Sequence, residues 1–195
     1  MSYFPAFIKF DDKRVLIVGG GNIALEKLEH LLNFSKNITL IAKEFNSEVK
    51  QIVDEQNLKF AVKEYEKGDI KDFDIVIAAV DDKALQESIY FETRDYKILC
   101  NCVDYKQYCD FIFPAYIKQG DLTIAISTSG TSPAFAKNFK EYIKNLIPSG
   151  VEEFLKELKE LRTTMPKGKE RMRFLDKKVK DFLKSKESRW KKLFL

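Results

Sequence analysis

Three groups of residues carry chemistry by their types and spacing. Gly19, Gly21 and Ala24 in "VLIVGGGNIALEKLEHLL" fit G-x-G-x-x-G/A, placed just after an apolar run and at the opening of an amphipathic one. Small residues there let the backbone approach a pyrophosphate, which the N–H groups and positive end of a helix attract. The context therefore predicts a dinucleotide cradle in preference to a purely structural turn. Asp81, Asp82 and Asp104 form the second group, just past the apolar runs "DIVIAAV" and "KILCNCV". Ligands of parallel sheets sit beyond such carboxyl ends. "DDKA" also fits the cap and first turn of a helix, and Asp104 also suits the opening of the turn "DYKQ". Asp81 is retained as a cofactor-binding candidate. The third group is Ser127, Thr128, Ser129, Gly130, Thr131 and Ser132, running into Pro133. Ser132 is the expected N-cap and Pro133 the first helical residue. A hydroxyl-rich loop entering a helix can seat carboxylates or phosphates of a substrate, and can equally serve capping alone.

Other reactive residue types point to less. Cys100, Cys102 and Cys109 are an odd set in a chain without export features, so no disulfide framework is expected. Cys100 and Cys102 share one strand face, but no fourth soft ligand stands near, and no metal site is expected. The single histidine, His30, falls opposite Ala24, Leu28, Leu31 and Leu32 on a helical wheel. It is expected to be a solvated surface residue. About 20 residues after the glycines, where an acid meets the adenosine ribose, stand Lys43 and Glu44. Glu44 suits ribose hydroxyls and Lys43 suits a 2′-phosphate, so these residues leave NAD and NADP both open.

The elements that must position these groups follow from periodicity. Strands are expected at Phe7–Phe10, Arg14–Gly19, Asn37–Ala42, Leu58–Val62, Asp74–Val80 and Lys97–Val103, with helices over 22–33, 46–56 and 83–93. Strands alternating with helices at this spacing predict a Rossmann-type, doubly wound parallel α/β sheet. "FIFPAYIK" and "DLTIAIS" flank Gln119-Gly120 as a hairpin or two extended segments. Beyond Gly150, Phe154, Leu155, Leu158 and Leu161, then Leu175, Val179, Phe182 and Leu183, form two helical stripes broken by "MPKGK".

Composition sets the class. With 45% apolar and 13% aromatic residues the chain has the means to build a core. No apolar run approaches the roughly 20 residues of a membrane span, and "MSYFPAFIKFDD" lacks the features of a secretion signal. A cytoplasmic protein is expected. The net charge of +4 is uneven: residues 151–195 hold 15 Lys and Arg against 8 Asp and Glu. Their lysines are most simply solvated helix faces, although a polycarboxylate substrate would give them a use.

Taken together, "FPAFIKFDDKRVLIVGGGNIALEK", "DIVIAAVDD", "LCNCVD" and "TIAISTSGTSP" resemble precorrin-2 dehydrogenases, including the corresponding module of siroheme synthases. The likeness spans residues 3 to about 148. It implies oxidation of precorrin-2 by NAD+ to sirohydrochlorin and, in some members, insertion of ferrous iron to give siroheme. It implies a homodimer with an NAD-binding domain over 1–113, a dimerisation region over 114–149 and a small helical domain over 150–195. By likeness Asn22 and Ile23 lie at the cofactor phosphates, Lys43 and Glu44 near the adenosine ribose, and Asp104 in the active site. The ribose question then moves towards NAD. Asp104 becomes the expected general base for hydride transfer, and for proton removal from pyrrole nitrogens during iron insertion.

Two departures stand out. A family loop often written Ser-Ser-Gly-Gly-Thr-Ser-Pro is "STSGTSP" here, so Thr128 replaces a serine and Ser129 a glycine. The methyltransferase module of fused siroheme synthases does not follow, so methylation is expected to need another protein. The partners expected are a tetrapyrrole substrate, ferrous iron as a second substrate and a second copy of the chain, with neither membrane nor nucleic acid. The competing class is a nucleotide-sensing Rossmann module whose basic helical tail contacts nucleic acid or protein.

Overall fold

The computed structural model describes residues 3–191, and of residues 187–191 the helical backbone alone. The chain forms two units, Met1–Ile112 and Phe113–Leu195.

The first unit is the expected parallel sheet. In chain order it runs β1 (Val15–Val18), α1 (Asn22–Leu32), β2 (Ile38–Ala42), α2 (Ser47–Gln56), β3 (Lys59–Val62), β4 (Ile75–Ala78), α3 (Lys83–Tyr96) and β5 (Leu99–Cys102). The spatial order is β3-β2-β1-β4-β5, with every pair parallel. The chain therefore winds outward from β1 to β3, then returns to the other side of β1 for β4 and β5. The direction of winding reverses between β1 and β4, and ligands of such sheets bind at this reversal. The apolar runs that predicted β1 and β4 are wholly buried, from Val15 to Val18 and from Ile75 to Ala78. Each fully buried Ile or Leu here stabilises the fold by roughly 1.5–3 kcal/mol. Val18 pairs with Ile41 and Ala78, and Ala78 with Cys102. The carboxyl ends of the central strands thus align, and one rim gathers the segments that follow them.

Three expectations are corrected. Phe7–Phe10 is not a strand. Both sides of β1 are taken by β2 and β4, so a hairpin partner arriving from the N-terminus has no place to pair, and Phe7 and Ile8 lie exposed. His30 is half-buried and not a fully solvated surface residue. The last strand begins at Leu99 because α3 continues to Tyr96 and Lys97 takes a left-handed conformation (φ 56°) to close it.

The second unit opens with an antiparallel hairpin, β6 (Ala115–Gln119) and β7 (Leu122–Ile126), turned at Gly120 in a left-handed conformation (φ +58°). It continues with α4 (Pro133–Leu146), α5 (Val151–Thr164) and α6 (Lys169–Lys191). As read from the sequence, the Ser132 hydroxyl caps α4 by accepting from the Phe135 N–H at 3.1 Å. The paired helical stripes also form: Phe154 of α5 stacks on Phe182 of α6 with ring centroids 4.0 Å apart. Leu183, expected in that stripe, is exposed. A helix one residue past Phe182 has already turned about 100° away from it. Residues 192–195, the last of the expected helical segment, lie outside the described residues.

Candidate nucleotide site and active site

Each of the three consecutive glycines faces a different constraint. Gly19 follows β1 with φ +132°, and a Cβ on it would stand 2.2 Å from the Ala79 carbonyl oxygen. Only glycine lets β1 pass the end of β4 so closely. A Cβ on Gly20 would stand 2.1 Å from the Glu44 carbonyl oxygen and 2.8 Å from the Phe45 ring. Gly20 also accepts a hydrogen bond from the Asn46 N–H at 2.9 Å, so the glycine turn is tied to the segment after β2. Gly21 differs: it is extended (φ −94°), and a Cβ there would meet nothing within 4 Å. It opens α1, which has no side-chain cap and no acidic residue in its first turn. Ala24, the small residue of the fingerprint, is fully buried. These residues fit a dinucleotide, because Gly21 and the first turn of α1 present N–H groups to open space without a competing carboxylate.

Gly20 lies outside the G-x-G-x-x-G/A positions, and only the close approach of residues 44–45 reveals its role. Gly20→Ala is expected to destabilise the protein by about 1–3 kcal/mol, since a backbone carbonyl cannot swing aside as a side chain can. An unchanged denaturant midpoint would contradict this packing.

The rim continues through Asn22, whose Oδ1 accepts from Asn46 Nδ2 at 3.0 Å. Asn46 in turn caps α2, accepting from the Val49 N–H at 2.7 Å. Lys43 and Glu44 follow β2 and are both exposed. The Lys43 ammonium lies 2.8 Å from a Glu64 carboxylate oxygen. That hydrogen bond, more than its Coulomb attraction, raises the Lys43 pKa above its ordinary value. Across the reversal point, Asp82 caps α3 by accepting from the Leu85 N–H at 3.1 Å, as its sequence context suggests, while Asp81 is exposed beside it. Gln86, buried one turn into α3, donates to the Val80 carbonyl at 2.7 Å and fixes the strand-to-helix link.

Asp104 follows β5 on the same rim, exposed and in the left-handed region at φ +70°. Aspartate is among the few non-glycine residues that adopt this conformation readily. The segment after it is held firmly. The Asp110 N–H donates to the Cys100 carbonyl and its carboxylate accepts from the Cys100 N–H, both at 2.8 Å. Arg94 of α3 grips the same carboxylate through both terminal nitrogens. Asn101 adds a bond from Nδ2 to the Phe111 carbonyl at 2.8 Å. Asp110 thereby completes the otherwise open edge of β5 and anchors the loop that begins at Asp104. Neither Arg94 nor Asp110 carries a signal in the sequence, because the pair is 16 residues apart and belongs to no motif.

Two of the three cysteine thiols near this loop are pushed above their ordinary pKa. Cys100 and Cys102 do share a face, with sulfurs 3.7 Å apart. Their mutual hydrogen bond, followed by burial, pushes the Cys100 thiol well above its ordinary range. Burial pushes Cys109 up to about 11, against the opposing effect of the bond to the Cys102 carbonyl. Thiols held protonated in this way are weak nucleophiles and weak metal ligands.

In the second unit, Ser127 to Ser132 form one tight loop. Thr128 Oγ1 accepts from the Ser132 N–H at 3.1 Å and donates to the Ser132 carbonyl at 3.2 Å. Ser127 Oγ accepts from the Ser129 N–H at 3.1 Å. Thr128 therefore serves the turn with the hydroxyl that a serine would also supply. Ser129 adopts φ 51°, which explains physically why glycine suits that position. Gly130 and Thr131 are exposed at the tip.

Comparison with known proteins agrees with this geometry. Residues 6–115 match the family model described as "Putative NAD(P)-binding", and residues 119–146 match "Sirohaem biosynthesis protein central". The siroheme synthase of Methylococcus capsulatus is 37% identical over 149 residues, covering 76% of this chain and 31% of that protein. That of Psychrobacter cryohalolentis is 34% identical over 162 residues, covering 83% and 31%. The chain thus spans about a third of the length of these curated relatives. Among solved structures, "SirC, precorrin-2 dehydrogenase" has the same fold, with a TM-score of 0.76 at 22% identity over 95% of this chain and 100% of that one. A nicotinamide dinucleotide is accordingly the cofactor that the glycine rim fits, and the chain belongs to the NAD(P)-binding family, joined here to the central segment of sirohaem biosynthesis proteins.

Proposed function

We propose that this chain is a cytoplasmic, homodimeric precorrin-2 dehydrogenase that uses NAD+ to form sirohydrochlorin. The observation that carries this reading is the open, uncapped and acid-free N-terminus of α1, standing behind Gly21 at the winding reversal. The chain's match to the sirohaem central model supports a tetrapyrrole as the substrate class. When bound, NAD+ supplies the hydride acceptor. Gly21, Asn22 and Ile23 hold its phosphates by their backbone N–H groups, Asp81 borders it across the crevice, and Lys43 and Glu44 border its adenosine ribose. Loss of a hydride from precorrin-2 leaves a proton to be removed, and the Asp104 carboxylate accepts it. The loop from Ser127 to Ser132 binds peripheral carboxylates of the tetrapyrrole through hydroxyls and the N-terminus of α4. Most of the rate enhancement then comes from positioning.

Anaerobic incubation of the purified protein with precorrin-2 and NAD+ should give the absorption spectrum of sirohydrochlorin. Addition of ferrous iron then tests whether the same carboxylate supports insertion. Absence of turnover, together with a salt-sensitive shift of nucleic acid in a gel, would favour the nucleotide-sensing reading instead.

The dimer rests on residues 114–149. Phe135, Phe139 and Tyr142 stack along one face of α4, with centroids 5.4 and 6.0 Å apart, and remain exposed. An exposed aromatic stripe beside a two-stranded hairpin is expected to be covered by a second copy. Sedimentation at micromolar concentration should give a dimer, and a monomer would count against this region's role.

A further inference from the structure

Lys43 presents a conflict at the ribose rim: a free ammonium there would welcome a 2′-phosphate and blur the choice between the two nicotinamide dinucleotides. We infer that Glu64 is the specificity-determining residue that occupies Lys43 and biases the site against a dinucleotide with a 2′-phosphate. The inference rests on the reading that Lys43 and Glu44 border the adenosine ribose.

Topology places the two charges together. β2 and β3 are parallel neighbours with Ala42 opposite Val62, and the Lys63 N–H donates to the Ala42 carbonyl at 2.9 Å, extending the pairing beyond the strand ends. Lys43 is thus the first residue past β2, and Glu64 the second past β3, at the same carboxyl edge. Their side chains meet at 2.8 Å although both are about 70% exposed. The neighbouring cation is not available to the ribose in the same way. Lys63 is bound to Asp69 at 2.9 Å and to Glu66 at 3.4 Å, on the β3-to-β4 connection. Lys43 also lies within electrostatic reach of Asp82 and is followed by Glu44. The rim around Lys43 therefore holds an excess of carboxylates.

An exposed ion pair of this kind contributes little to stability. Its effect on a ligand is different in kind. A 2′-phosphate carries close to two negative charges, and each uncompensated carboxylate nearby acts on both of them. A 2′-hydroxyl carries none. Glu64 therefore discriminates between the two dinucleotides while hardly touching affinity for the uncharged ribose, which is selectivity by a repulsive element.

The test is a pair of calorimetric titrations, with NAD+ and with NADP+, on wild type, Glu64→Gln, Lys43→Ala and the double variant. Glu64→Gln should strengthen NADP+ binding by about tenfold and change NAD+ binding by less than about threefold, the scale of one surface charge acting on a phosphate. In the Lys43→Ala background the gain should shrink clearly, because part of it comes from releasing the ammonium. The gain should also shrink as salt rises towards about 1 M. Circular dichroism should report an unchanged fold, as the pair is exposed. If wild type binds NAD+ but its ratio to NADP+ is unmoved in Glu64→Gln, the inference is overturned while the cradle stands. If wild type binds neither dinucleotide, both fall. A wild type that prefers NADP+ overturns the inference alone.

Discussion

Asp104→Asn should lower the turnover of precorrin-2 by roughly 10²-fold or more, the scale typical of a lost general base. The substitution isolates the charge. Asparagine adopts the left-handed region as readily as aspartate, so φ +70° costs it little and the loop keeps its shape. The anchors of that loop, Asp110 on Cys100 and Arg94 on Asp110, are untouched. NAD+ affinity should stay within about twofold of wild type in calorimetry, a change well under 1.4 kcal/mol, because the proposed phosphate site lies at α1. Iron insertion, where it occurs, should fall in parallel if one carboxylate serves both reactions. Full turnover by this variant would leave Asp104 as a turn residue only.

Gly21→Val should weaken NAD+ binding by about 10²-fold or more while the protein remains folded. A Cβ at this position meets no protein atom within 4 Å, and the backbone at φ −94° suits valine as well as glycine. The added methyls would instead fill the open space in which the proposed pyrophosphate meets the first turn of α1. Losing two hydrogen bonds to a charged group, each worth about 1.5–3 kcal/mol, gives that factor. Gly20→Ala provides the contrast, since its Cβ would strike the Glu44 carbonyl and act on the fold itself. The two adjacent glycines should thus separate binding from stability. Unchanged NAD+ affinity in a folded Gly21→Val protein would remove the phosphate cradle.

The sequence made the parallel sheet legible because its strands are buried on both faces, which leaves short apolar runs bounded by turn residues. The glycine turn and the caps at Asp82 and Ser132 were legible for another reason: they act through local rules of turns and caps, which operate over a few residues. What stayed hidden depends on residues far apart in the chain. The Lys43 to Glu64 pair joins neighbouring strands, Arg94 reaches Asp110 across α3 and β5, and Gly20 is constrained by a carbonyl 24 residues on. Phe7–Phe10 failed as a strand because its propensity was satisfied but its sheet position was already filled. A helical wheel describes the helix alone, and half-burial of His30 depends on what packs against it.

If this chain is a precorrin-2 dehydrogenase, dinucleotide reduction and tetrapyrrole oxidation must be coupled one to one. The amount of NADH formed per precorrin-2 consumed, followed anaerobically with wild-type protein in a single vessel, measures that coupling. Equal amounts are expected, with both changes abolished together in Gly21→Val. Precorrin-2 loss without matching NADH, or binding of NAD+ with no oxidation under any condition, would contradict it.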